Sequence, residues 1–184
     1  MAFCWGWSEA TWFFVIPDVW LSLVALMGLR IALFCTLSAV SGALAGAITL
    51  YACPLPRLPQ LWLALPGFRA SMLEVARGHL AAGGAWGMEQ GAPAGIPFRA
   101  YVWLCQQQGV PLASVLRVAP WVRLERMLFP PLLVWASFGL VKALCRRLHL
   151  SDMPLRAVML VVIGLLWVAI YAYYWGFFIP RQFS

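Results

Sequence analysis

Residues Ile31–Tyr51 form a run of 21 amino acids without a charged side chain. At helical rise this run matches a hydrocarbon core about 30 Å thick. Arg30 precedes it and Pro54 follows it, so a charge and a helix breaker bound it. Composition extends the conclusion to the whole chain. Of 184 residues 64% are hydrophobic and 10% charged, with a mean hydropathy of +0.85. A soluble domain carries about 25% charged residues. The sequence therefore predicts a single all-α polytopic membrane domain over 1–184, with no separate soluble module.

The stretch Ser8-Glu-Ala-Thr-Trp-Phe-Phe-Val-Ile-Pro-Asp-Val-Trp-Leu is apolar enough for a bilayer, yet it holds Glu9, Pro17 and Asp18. A carboxylate in hydrocarbon costs roughly 2.5–3.5 kcal/mol on the insertion scale. Two of them beside a proline point to broken helix lining protein or water, a re-entrant hairpin over 1–29. A single tilted helix kinked at Pro17 is the plainer alternative.

The remaining segments follow in order. Within 31–51, Ser38, Gly42 and Gly46 recur every four residues beside Ala39, Ala43 and Ala47. Small residues at that spacing let another backbone approach closely, and the broken hairpin is the expected neighbour. The proline-rich connector Cys53–Gly67 leads to an amphipathic interfacial helix over 68–82, with Phe68, Met72, Val75, Ala76 and Leu80 on one side. His79 on it has no partner motif. Glycines and prolines between Gly84 and Gly109 exclude a continuous helix. Phe98–Cys105 between these breakers is apolar apart from Arg99, a second re-entrant candidate; a surface loop with Arg99 in water is the alternative. Residues 112–126 read as another interfacial helix, with Arg117, Arg123 and Arg126 spaced by helical turns. Spans are expected over 127–145 and 155–179. The first needs Arg126 and Lys142 to snorkel, or the preceding helix to continue into it. Ser151-Asp152-Met-Pro154 is a good start for the second, and Trp167, Tyr171, Tyr173, Tyr174 and Trp175 form an aromatic belt near its end. One span between the two hairpins would bring them in from opposite sides, with their tips meeting near the midplane, as in inverted-repeat transporters.

The net charge of +7 comes from twelve Arg and one Lys set against six acids. In an apolar chain whose arginines flank the spans, anionic lipid headgroups are the expected counter-charges, and nucleic acid is not expected as a partner. Basic residues on both sides do not choose an orientation. The five cysteines are scattered without a CxxC pair, which argues for apolar filler and against a metal site or disulfide. No cofactor is expected. The first apolar run carries acids and lacks a basic leader, so it does not read as a cleavable signal peptide.

Ser8–Leu21 resembles the acidic, proline-containing first motif of the DedA (VTT-domain, SNARE-associated) superfamily, most of all its short YqaA-like branch. Ser38–Gly46 looks like the small-residue helix that follows there. Gly95-Ile-Pro97-Phe98-Arg99 is similar to the second motif, and Arg123-Leu-Glu-Arg126 to the later paired arginines. The chain departs from the pattern in lacking a Phe-Thr-Pro-Ile-Pro run and in having Val122 where glycine is usual. The resemblance implies a multi-pass protein of the bacterial inner membrane with two facing re-entrant hairpins. It further implies movement of phospholipid or polyprenyl-phosphate lipid between leaflets, coupled to protons in some members. Glu9 and Asp18 would take the acidic roles, Arg99 the basic role, with Arg123 and Arg126 in support.

The chemistry is coherent without the resemblance. Arginine offers paired hydrogen bonds to a phosphate, and a buried arginine needs a carboxylate when no anion is present. Arg99 is therefore expected to bind the phosphate, with Glu9 and Asp18 neutralising it and one of them exchanging a proton. A buried ion pair that only locks the hairpins together is the alternative. An enzyme is disfavoured, because HxxxH, DxxD and serine–histidine pairings are missing. A non-transporting membrane subunit, or a homo-oligomer packed through the small-residue helix, fits the same sequence.

Overall fold

The computed structural model describes residues 1–53, 57–65, 67–148 and 154–183. Pro54, Ser151 and Asp152, named above, lie outside the described residues. The described chain is all-helical. Its elements are α1 (Ala2–Thr11), α2 (Asp18–Ala25), α3 (Leu29–Ala52), α4 (Leu58–Leu63), α5 (Ala70–Gly83), a 3₁₀ segment (Gly84–Gln90), α6 (Gly91–Ala94), α7 (Phe98–Gln107), α8 (Leu112–Arg147), α9 (Leu155–Tyr173), a π-helical turn (Tyr174–Phe178) and α10 (Ile179–Gln182). Three helices are long and apolar enough to cross a membrane: Leu29–Ala52, Leu112–Arg147 and Leu155–Gln182.

The small residues of α3 work as the spacing implies. A Cβ at Gly42 would collide with the Phe3 carbonyl, and one at Gly6 with the Ala39 carbonyl. One at Gly46 would meet Ala10 Cβ at 2.7 Å. Helices α1 and α3 therefore touch backbone to backbone, a spacing that only glycine allows. Trp7 Nε1 donates to Thr49 Oγ1 at 3.0 Å and fixes their register. With Phe3 opposite Gly42 and Trp7 opposite Thr49, α1 runs in the same direction as α3. Helix α1 is ten residues long and α2 eight, about 15 and 12 Å at helical rise, so neither crosses a bilayer alone.

Helix α8 is one 36-residue element, so the helix over 112–126 continues into the next span, one of the two options open from the sequence. Pro120, Pro130 and Pro131 sit inside it. Its first half packs on α2 and α3 and buries Val115, Val118, Ala119, Arg123 and Met127. An arginine-bearing face that suggests water from its composition faces the protein instead. Helix α5 places Met72, Leu73, Ala76 and Leu80 against α7 and the 3₁₀ segment, while Val75 stays exposed. Within the connector, Pro59 opens the short helix α4, which drives Trp62 fully into the core. The largest cluster of buried side chains gathers around Trp62, Phe98, Tyr101 and Leu104.

The end of the last long helix folds onto the body. The ring of Tyr174 stacks on Phe178, and the Tyr174 hydroxyl donates to the Gly95 carbonyl. Tyr171 Oη accepts from the Ile16 amide at 3.2 Å. The aromatic belt therefore splits. Tyr171 and Tyr174 face the protein, whereas Tyr173 is exposed.

Candidate functional site

Glu9, Asp18, Arg99 and Arg123 are all buried, at 2%, 4%, 3% and 2% exposure. Four elements deliver them together with the half-buried Arg126. Glu9 stands in the last turns of α1 and Asp18 opens α2 after Pro17. Arg99 lies in the first turn of α7. That turn is set by Gly95 in a left-handed conformation (φ 72°) and by extended Pro97. A Cβ at Gly95 would press on Phe178 at 2.8 Å and on Tyr174 at 3.0 Å, so glycine is required for space as well as for backbone angle. Arg123 and Arg126 are one helical turn apart on α8 and share a face.

The pairing differs from the one expected. The Glu9 carboxylate is gripped by both terminal nitrogens of Arg123. Nη1 lies 3.4 Å from Oε1, and Nη2 makes the second ion-pair contact with Oε2. The Arg123 guanidinium also lies over the Phe98 ring at 5.0 Å. Asp18 pairs with Arg126, Nε to Oδ2 at 3.4 Å. The carboxylates thus neutralise Arg123 and Arg126 in place of Arg99. The reason is positional: the two arginines on one face of α8 sit opposite α1 and α2, which carry the two acids.

Arg99 has no carboxylate at salt-bridge distance among the described residues. Its Nη1 donates to the Phe13 carbonyl at 2.6 Å and lies 3.5 Å from the Glu9 carbonyl. Its guanidinium carbon lies 5.6 Å from the Trp62 ring and 5.8 Å from the Phe68 ring. Its Nε has no partner among the described residues. Backbone carbonyls and aromatic faces therefore hold Arg99, and they offset its charge only in part. Trp62 is a residue the sequence reading leaves in a connector. Its Nε1 donates to the Thr11 carbonyl at 3.0 Å, so it ties α4 to α1 as it supports Arg99. The Leu61-Trp62-Leu63 triplet just after Pro59 was the available signal.

A cavity of ≈ 70 Å³ opens at this point, lined by Glu9, Phe14, Gly67, Gly95, Arg99 and Arg126 among others. A water needs about 10–15 Å³ on this measure, so the cavity suits a small polar group. Its lining carries two guanidinium groups, Arg99 and Arg126, and one carboxylate, Glu9, which leaves one positive charge in excess. The segment between α1 and α2 meets the start of α7 here, where Arg99 reaches the Phe13 carbonyl. Along α3 this level lies past the middle of the helix. Ala10 and Thr11 meet the Gly46 position, so Glu9 is level with the C-terminal half of α3. Parallel packing of α1 on α3 carries it there.

His79 Nδ1 and the buried Tyr101 hydroxyl lie 2.7 Å apart with their rings stacked, outside this cluster. No family model matches the chain, and neither a curated protein nor a solved structure is similar to it.

Proposed function

We propose that the chain is an integral membrane lipid translocase that moves phospholipid or polyprenyl-phosphate lipid between leaflets. In this reading α1–α2 and α6–α7 are two re-entrant hairpins, as the resemblance to the DedA superfamily implies, and the phosphate binds at Arg99. One observation carries the reading: Arg99 is buried, lines a cavity, and has no carboxylate partner among the described residues. An uncompensated guanidinium inside a membrane domain is costly, and an arriving phosphate monoanion would neutralise it with paired hydrogen bonds. Arg123 and Arg126 are matched by Glu9 and Asp18, so the surplus positive charge is that of Arg99. Proton exchange at Glu9 or Asp18 belongs to the same proposal.

Purified protein in proteoliposomes tests it. Movement of a fluorescent phospholipid, and separately of a polyprenyl phosphate, is followed across the bilayer and compared with protein-free vesicles. Movement of either lipid supports the reading, and movement of neither contradicts it.

A non-transporting membrane subunit is the second reading. It draws on the distal parts of α8 and α9, where Leu140, Leu165 and Val168 are 71%, 64% and 67% exposed. Co-purification of a stoichiometric membrane protein, with no lipid movement, would favour it.

A further inference from the structure

Arg126 stands between two spaces. On one side is the Arg99 cavity. On the other is a cleft of ≈ 540 Å³ whose lining includes Asp18, Glu89, Glu125, Arg126, Ala92 and Phe129. Ala92 and Arg126 line both, so they form a shared wall. The two spaces differ in sign. The cavity has the surplus guanidinium. The cleft has three carboxylates against the one arginine.

Asp18 is buried, and its Oδ2 pairs with Arg126. Its Oδ1 has no hydrogen-bond partner among the described residues. A buried carboxylate oxygen without a donor is unfavourable, and an N–H group of a ligand in the cleft would satisfy it. Glu89, on the 3₁₀ segment, and Glu125, on α8, are exposed side chains on the same lining.

We propose that this cleft receives the primary ammonium of a phospholipid headgroup whose phosphate occupies the Arg99 cavity. The assignment rests on the phosphate reading given above and adds the headgroup class, an aminoalkyl phosphodiester. A phosphate and an amine joined by a two-carbon spacer are neighbouring groups of opposite charge. The two spaces are neighbours of opposite charge across Arg126. A primary ammonium has three donors, enough for Asp18 Oδ1 and one or both glutamates. A quaternary ammonium has none and is recognised by aromatic cages. Among the described residues Phe129 is the sole aromatic ring on the cleft lining, so choline fits poorly. Polyprenyl phosphate and phosphatidylglycerol carry no cation and would leave the cleft unused.

Native mass spectrometry of the full chain in detergent tests the assignment. The probes are equimolar dioleoyl phosphatidylethanolamine, phosphatidylcholine and phosphatidylglycerol. The expected result is retention of the ethanolamine lipid over each of the others by about tenfold, a ratio equivalent to ~1.4 kcal/mol. In Glu89→Gln/Glu125→Gln that ratio falls to near one. Both side chains are exposed, so the variant keeps its fold, and unchanged thermal unfolding checks this. Equal retention by the wild type, or a ratio that the double variant leaves intact, overturns the proposal. Competition by free ethanolamine without any lipid preference makes the cleft a site for a soluble amine and overturns the headgroup assignment. The phosphate reading fails separately, if Arg99→Ala leaves retention of all three lipids unchanged.

Discussion

Glu9 and Arg123, 114 positions apart in sequence, form a two-pronged ion pair with almost no exposure to solvent. Phe98 covers the open face of the guanidinium. The pair joins α1 to α8 and sets the wall on which the Arg99 cavity is built. Removing one member leaves the other charged, buried and unmatched, which costs about 3–5 kcal/mol. Glu9→Ala and Arg123→Ala should each lower stability on that scale in detergent thermal unfolding. Glu9→Leu combined with Arg123→Met, which removes both charges at similar volume, should lose far less than the two single changes added together.

Gly42 and Gly164 provide a matched contrast on two helices long and apolar enough to span a membrane. A Cβ at Gly42 runs into the Phe3 backbone, whereas one at Gly164 meets nothing. Gly42→Val should force α1 away from α3 and cost at least about 1–3 kcal/mol, the usual penalty for overpacking. Gly164→Ala should change stability by less than about 0.5 kcal/mol, as for other open positions. Thermal unfolding of both variants in one detergent checks the difference.

Tyr174 supports the turn that aims Arg99, since its hydroxyl donates to the Gly95 carbonyl beside that turn. Tyr174→Phe keeps the stacking on Phe178 and removes the hydrogen bond. A loss of about 0.5–1.5 kcal/mol is expected. Gly95→Ala adds strain at a positive φ and a clash with Tyr174 and Phe178, so its loss should exceed that of Tyr174→Phe. Unfolding midpoints of the two variants give the order.

Trp62 holds Arg99 on one side and the Thr11 carbonyl on the other. Trp62→Leu should cost about 2–4 kcal/mol through the smaller volume and the unpaired carbonyl. Trp62→Phe keeps a ring beneath Arg99 and should keep more of the lipid movement than Trp62→Leu. A transport assay at matched reconstitution reads that difference.

Much of this arrangement is legible in the sequence. The uncharged run of α3 announces a span, and its glycines announce a close neighbour, because both signals are local. Arg99 stands out because it is the one charge in the apolar stretch Phe98–Cys105 between glycine and proline breakers. The partners of the charges were not legible. Arg123 and Arg126 at helical spacing describe a charged face, and that pattern is the same whether the face meets headgroups or opposite charges. Only the placement of α8 against α1 and α2 decides between them. Trp62 was hidden by composition, since prolines on both sides suggest an irregular connector. Pro59 starts a helix there instead of preventing one.

The most direct test of the account concerns Arg99 itself. Lipid movement between leaflets is measured for wild type, Arg99→Lys and Arg99→Ala at equal reconstitution and with thermal unfolding recorded for each. Wild type should move lipid, Arg99→Lys should move it about tenfold or more slowly because one point charge replaces a paired donor, and Arg99→Ala should not move it. Wild-type rates in a folded Arg99→Ala protein would contradict a phosphate site at this residue.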